Sequence, residues 1–186
     1  MLARFGRREG VDLRHIAGIG VTALFPEMLP LDADGRALRR AILYGIDTRA
    51  QREIREAREH LGEEGILNRS KTLLTSQSVG PKILWFRRHE PERFARTACI
   101  MSASNYITYW LTGKETMDRV TAAFYAPFYD YDRGEWSEET LAASGLDASL
   151  FPELAWPAEI VGRTTRESAE RTGLPEGIPV VAGSGD

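Results

Sequence analysis

A mixed fold of strands and helices, α/β or α+β, is predicted for this chain of 186 residues on three observations. Residues 16–45 alternate apolar runs with a tight polar turn, the pattern of paired strands. Residues 48–61 switch to a helical period. Near the end, a capped helical stretch leads into "IPVVAG", an apolar run of strand length.

Each element follows from its own residues. Residues 16–24 and 28–32 predict two strands, Asp34 and Gly35 supply an Asp-Gly hairpin turn, and residues 41–45 predict a third strand. In "DTRAQREIREAREHLG", Ala50, Ile54, Ala57 and Leu61 fall on one helical face, and Thr48 with Gln51 matches a capping box. Arg52 with Glu56 and Arg55 with Glu59 lie four apart on the opposite, solvated face. A helix is expected over residues 81–89, restarting at Pro91 and running through Arg96, followed by a short strand in "ACIMS". "SASNYITYWLTGK" predicts an amphipathic helix with Tyr106, Tyr109 and Trp110 facing inward, stopped by Gly113. "SEETLAASG" carries Ser137 as N-cap and Gly145 at its C-terminus, and "TRESAERTG" repeats that device.

Composition narrows the function. With 24 Lys plus Arg against 27 Asp plus Glu, the net charge of -3 argues against a nucleic-acid partner. No apolar stretch approaches the roughly 20 residues that span a bilayer, and Arg4, Arg7 and Arg8 precede no apolar leader segment, so no membrane association and a cytoplasmic location are expected. Cys99 is the one cysteine, which excludes an intrachain disulfide and reads as a small buried apolar residue.

Common catalytic signatures are missing. The sequence holds no GxxxxGK[ST], GxGxxG or GxSxG. His15, His60 and His89 are scattered, and Pro91 in "HEPER" would break the helix that a zinc motif needs. Two places remain. In "AILYGIDTRA" a strand delivers Tyr44, Asp47 and Arg49 to its C-terminal end, where Asp47 and Thr48 alternatively just cap the following helix. In "PVVAGSGD", glycines after a strand let a ligand approach the backbone, and Asp186 would accept a proton or hold a metal, unless it is simply a loop aspartate.

Read together, "LDADGRALRRAILYGIDTRA", the run from "GPKILWF" to "DRVTAAF", "WSEETLAASGLDASLFPEL" and "EIVGRTTRESAERTGLPEGIPVVAGSGD" stand in the order found in the first domain of the FGGY family of carbohydrate kinases. The chain resembles the family's xylulose-kinase-like members most, from about residue 10 to 186. Lys82 and Trp85 keep the family's Lys-x-x-Trp element, whereas Gln77 and Val79 depart from the residue types usual upstream of it.

The resemblance implies a ribonuclease-H-like, actin-like ATPase fold and transfer of the γ-phosphoryl group of ATP, with Mg²⁺, to a hydroxyl of a sugar or polyol, most closely a pentulose such as xylulose. It places the general base on Asp186, at the end of the family's "AGxGD" element. It places substrate contacts on Phe25 and Pro26, on Tyr44 or the neighbouring Gly45, and on Gln77, beside Asp186 itself. Asp118 matches a recurring family acid, as a ligand contact or a helix cap. By the same resemblance residues 1–186 are a partial first domain, without the DxGT-type phosphate-loop strand and without the second, ATP-binding domain. The ATP contacts are then expected outside the chain. A homodimer is an expected assembly. The alternative is a non-catalytic remnant with at most sugar-binding ability.

Overall fold

The computed structural model describes residues 12–186; Arg4, Arg7 and Arg8 lie outside the described residues. In chain order the elements are β1 (Thr22–Ala23), β2 (Leu29–Leu31), α1 (Gln51–Leu61), α2 (Glu63–Ser70), α3 (Val79–His89), α4 (Pro91–Phe94), β3 (Cys99–Met101), α5 (Ala103–Thr112), β4 (Thr116–Asp118) and α6 (Arg119–Ala122). They continue as β5 (Tyr129–Asp130), β6 (Glu135–Trp136), α7 (Glu138–Ala143), β7 (Glu153–Ala155), β8 (Ile160–Arg163), α8 (Arg166–Thr172), β9 (Pro179–Val181) and β10 (Ser184–Gly185). The mixture of short strands and helices agrees with the expected class.

Strands pair in twos. β1 runs parallel to β10, with Thr22 opposite Ser184 and Ala23 opposite Gly185. A bridge between Ile19 and Val180 extends that parallel contact back to β9, which pairs antiparallel with β8. β2 pairs antiparallel with β3, and β4 parallel with β7. The hairpin expected at Asp34–Gly35 forms: Leu31 bridges Ala37 and Met28 bridges Ile42, both antiparallel, while Gly35 takes φ 72°, a left-handed value that favours glycine.

Four expectations are corrected. The strand over residues 16–24 shrinks to Thr22–Ala23 plus the bridge at Ile19, because Val21 and Ala23 offer their carbonyls to the incoming 184–186 backbone only locally. The strand over 41–45 reduces to one bridge at Ile42, since a turn closes from the Asp47 N–H to the Tyr44 carbonyl. Thr48 does not cap α1. Ala50 is the N-cap, without a side-chain bond, and the Asp47 carboxylate is occupied by Arg49. On α5 the buried residues are Ser104, Asn105, Thr108, Leu111 and Thr112, whereas Tyr106, Tyr109 and Trp110 are half-buried at its flank. Hydrogen bonds satisfy part of that polar face: the Thr112 hydroxyl donates to the Thr108 carbonyl at 2.8 Å and the Ser102 hydroxyl to the Asn105 side-chain oxygen at 2.5 Å, while the Asn105 Nδ2 and the Thr108 hydroxyl are buried without a partner.

Other signals act as read: Ser137 and Thr165 cap α7 and α8 with their side chains, and Gly113 ends α5 in the left-handed conformation. Ser102 adds a side-chain cap to α5. The main core gathers Met28, Ile42, Val79, Ile83, Phe86, Ile100, Met117, Tyr125 and Phe128. Each large apolar side chain buried there contributes about 1.5–3 kcal/mol. This core packs α3 with Met28, Ile42 and the β3 residue Ile100 and against the 123–125 turn, so α3 and the loop before it have a firm backing. Cys99 is buried and unpaired, and burial pushes its thiol up to about 12.

Candidate active site

The site begins where β10 meets β1. The Ser184 N–H donates to the Val21 carbonyl at 3.1 Å and the Asp186 N–H to the Ala23 carbonyl at 3.0 Å, so parallel pairing carries the chain up to its aspartate. Gly183 has φ 78°, and a Cβ there would strike the Val21 carbonyl. A Cβ on Gly185 would enter the Phe25 ring. Both glycines are therefore steric requirements of this turn. Asp186 emerges from it exposed to solvent.

Phe25 continues as a wall: its ring meets Phe124 edge-on, centroids 4.8 Å apart. Pro26, joined to it by a cis peptide bond, is buried and turns no face to solvent. The expected pair thus splits, with Phe25 half-buried beside Gly185 and Pro26 in the interior.

Glu27 follows, 1% exposed. One carboxylate oxygen accepts the Ala103 N–H at the start of α5, and the other is buried with no partner. Burial pushes its carboxyl up to about 7; the Ala103 N–H opposes that, Asp186 adds to it, and Lys82 opposes it. Lys82 is buried too, its ammonium donating to the carbonyls of Leu43 and Ser76 at 2.6 Å each. Burial draws it down to about 8, partly offset by Asp47 and Glu27.

Lys82 therefore ties the end of the 41–45 segment to the loop before α3. Gln77 makes the second tie, accepting the Gly45 N–H at 3.1 Å. A Cβ on Gly45 would sit 2.9 Å from the Gln77 amide nitrogen, so the turn lies directly on that side chain. Tyr44 is half-buried beside it. Outside this turn, Arg49 pairs with Asp47 at 2.8 Å and stacks 4.6 Å from the Trp85 ring.

Gln77 lines a cleft of about 390 Å³ with Thr75, Ser78, Phe124 and Tyr131. Phe124 also lines an adjoining cleft of about 570 Å³ with Arg119, Tyr129 and Trp156. Phe124, which lines both clefts, touches Phe25, and Phe25 covers Gly185 in the turn that bears Asp186. The structure places Phe25 against both Gly185 and Phe124, puts Gln77 in the cleft that Phe124 also lines, leaves Tyr44 half-buried beside the Gly45 turn and buries Pro26. Asp118 is fully buried and caps α6 with one carboxylate oxygen, which accepts the Thr121 N–H at 2.8 Å, while its other oxygen is buried without a partner. Sequence alone does not single out Glu27, Phe124 or Arg119. Glu27 left one signal there, a lone acid inside the apolar run "ALFPEMLPL". Among the described residues no three His, Cys, Asp or Glu side chains converge to hold a metal, so no residue of this chain is assigned to Mg²⁺.

Comparison with known proteins identifies the lineage. The N-terminal domain of the FGGY family of carbohydrate kinases matches residues 1–186. The xylulose kinase of Bacillus subtilis is 30% identical over 185 residues, covering 100% of this chain and 36% of that protein. The L-xylulose/3-keto-L-gulonate kinase of Escherichia coli is 30% identical over 178 residues, covering 94% of this chain and 35% of its own length. The crystal structure of xylulose kinase from Rhodospirillum rubrum superposes with a TM-score of 0.85 at 34% identity, covering 91% of this chain and 35% of that one. The chain spans about a third of the length of these relatives. Its ribonuclease-H-like architecture and its full-length family match lead to one statement: the chain belongs to the FGGY family of carbohydrate kinases.

Proposed function

We propose that this chain contributes the acceptor side of an ATP-dependent kinase that phosphorylates a hydroxyl of a sugar, a pentulose such as xylulose, with Asp186 as general base. The B. subtilis and R. rubrum relatives are named xylulose kinases, and the E. coli relative is named for a neutral ketose and a keto acid. In this reading the protein works in the cytoplasm, and ATP and Mg²⁺ are bound by parts of the kinase outside residues 1–186.

A sugar hydroxyl is a poor nucleophile. As its oxygen attacks the γ-phosphorus in line, its proton passes to the Asp186 carboxylate, the new P–O bond forms, and the bond to the ADP oxygen breaks. Gln77 would hydrogen-bond the sugar, while Phe25, Phe124 and Tyr44 would lie against its C–H faces and keep water away. The observation that carries this reading is the turn itself: two sterically required glycines set an exposed aspartate at the end of a paired strand.

The test is ADP formation from ATP and D-xylulose by a protein containing these residues. Asp186→Asn is expected to lower turnover by about 10²–10⁴-fold, the usual contribution of a general base. Undiminished turnover in that variant removes the assignment.

A further inference from the structure

The exposed aromatic side chains are gathered in one place. Among the described residues, Phe124, Tyr131 and Trp156 are the Phe, Tyr and Trp side chains left exposed, at 37%, 57% and 64%, and all three line the two adjoining clefts. Phe124 and Tyr131 belong to both clefts, which therefore meet along these two rings. The Trp156 ring is held in place. Arg119 lies 5.4 Å from its centre, and the Trp156 N–H donates to the Glu159 carboxylate at 3.0 Å.

The first cleft adds polar groups with donors to spare. The Thr75 hydroxyl accepts the Gln77 N–H at 3.1 Å, and the Gln77 amide oxygen accepts the Gly45 N–H at 3.1 Å. Among the described residues neither the Thr75 hydroxyl proton nor the Gln77 amide nitrogen is given to a protein group, and both residues are exposed, so these donors are open to a ligand. Aromatic faces with hydroxyl and amide donors beside them match a saccharide, which offers C–H faces to the rings and oxygens to the donors. Size argues for more than one sugar unit. At about 390 and 570 Å³, each cleft alone falls in the roughly 300–1,000 Å³ range of a complete small-molecule site, so the pair exceeds what a single pentulose fills.

We propose that the two clefts form one extended saccharide site, in which the sugar unit to be phosphorylated lies by Gln77 and Phe124 and a second unit, glycosidically linked to it, stacks on Tyr131 and Trp156. The proposal rests on the sugar-kinase reading for the first unit being a phosphoryl acceptor, but the second unit is tested by binding alone. Stacking one further ring on aromatic faces favours a disaccharide over its monosaccharide by about 5-fold.

The experiment is calorimetric titration of the 186-residue chain with xylobiose and with D-xylose, repeated for Trp156→Ala and Tyr131→Ala, whose exposed rings can be removed without opening the core. Tighter binding of xylobiose is expected, reduced to the D-xylose level in Trp156→Ala and weakened in Tyr131→Ala, while D-xylose binds Trp156→Ala as it binds the parent. Binding of neither ligand, equal binding of the two, or a preference that survives Trp156→Ala overturns the proposal. D-xylose binding without the preference removes this site and leaves the sugar-kinase reading in place. If the preference holds while Asp186→Asn leaves sugar phosphorylation untouched, the base assignment fails and this site stands.

Discussion

Glu27 and Glu53 are both 1% exposed and each keeps one carboxylate oxygen without a partner, yet only Glu53 is paired with a cation. On the outer helical layer, Arg88 donates to Glu53 at 2.6 Å and to Glu56 at 2.6 Å, joining α3 to α1. Beside the cleft, Glu27 has only the Ala103 N–H, with Lys82 near enough to be felt but engaged with carbonyls. The lesson concerns location. The outer acid is held by an arginine, and the inner one by a backbone N–H alone, with its carboxyl raised by burial.

The largest test breaks the outer pair. Arg88→Ala strands the Glu53 carboxylate in the interior, and loss of one partner from a buried pair costs about 3–5 kcal/mol. Arg88 is itself 39% exposed, which places the expected loss near the lower end of that range. Urea unfolding of the chain checks it, and a change below about 1 kcal/mol would put the outer acid on the same footing as Glu27.

A smaller effect is expected from Glu27→Gln, and its sign depends on pH. The folded-state carboxyl sits at about 7, above its ordinary 4.5, so folding favours the protonated acid. Its stabilising contribution is fully present below about pH 4.5 and is lost as pH rises toward 7. The neutral glutamine escapes that loss. It is expected to match the parent near pH 4.5 and to be more stable at pH 8 by up to about 3 kcal/mol, from roughly 1.4 kcal/mol per unit. Melting temperatures across that window decide it, and parallel curves for the two proteins would remove the contrast.

The smallest effect sharpens the site rather than the acids. Gln77→Ala removes one exposed hydrogen bond to the Gly45 N–H, worth about 0.5 kcal/mol. Sugar binding should suffer more than stability. Calorimetry with D-xylulose against thermal melting separates the two.

Much of the fold is legible in the chain before folding. Ser137, Thr165 and Gly113 announce helix ends by chemistry that acts over three or four residues, and the structure obeys them. Asp34–Gly35 announces its hairpin for the same local reason. Helix α2 is hidden because Gly62 and Gly65 interrupt its pattern, although Gly62 at φ 75° merely separates it from α1. The polar buried face of α5 is unreadable from periodicity, since Ser104, Asn105 and Thr108 owe their burial to tertiary packing and not to hydrophobicity. The candidate site divides likewise. Asp186 ends a recognisable motif, whereas Gln77 departs from the usual pattern and the partnerless oxygen of Glu27 is a property that exists only after folding.

The contact between Phe25 and Gly185 couples two positions 160 residues apart in sequence. A Cβ at 185 needs the volume that the Phe25 ring fills, so position 185 cannot drift while that ring stays. Among descendants of this chain, a residue with a Cβ at 185 is expected only beside a reduced side chain at 25, and that joint change would widen the approach to the aspartate as it occurred.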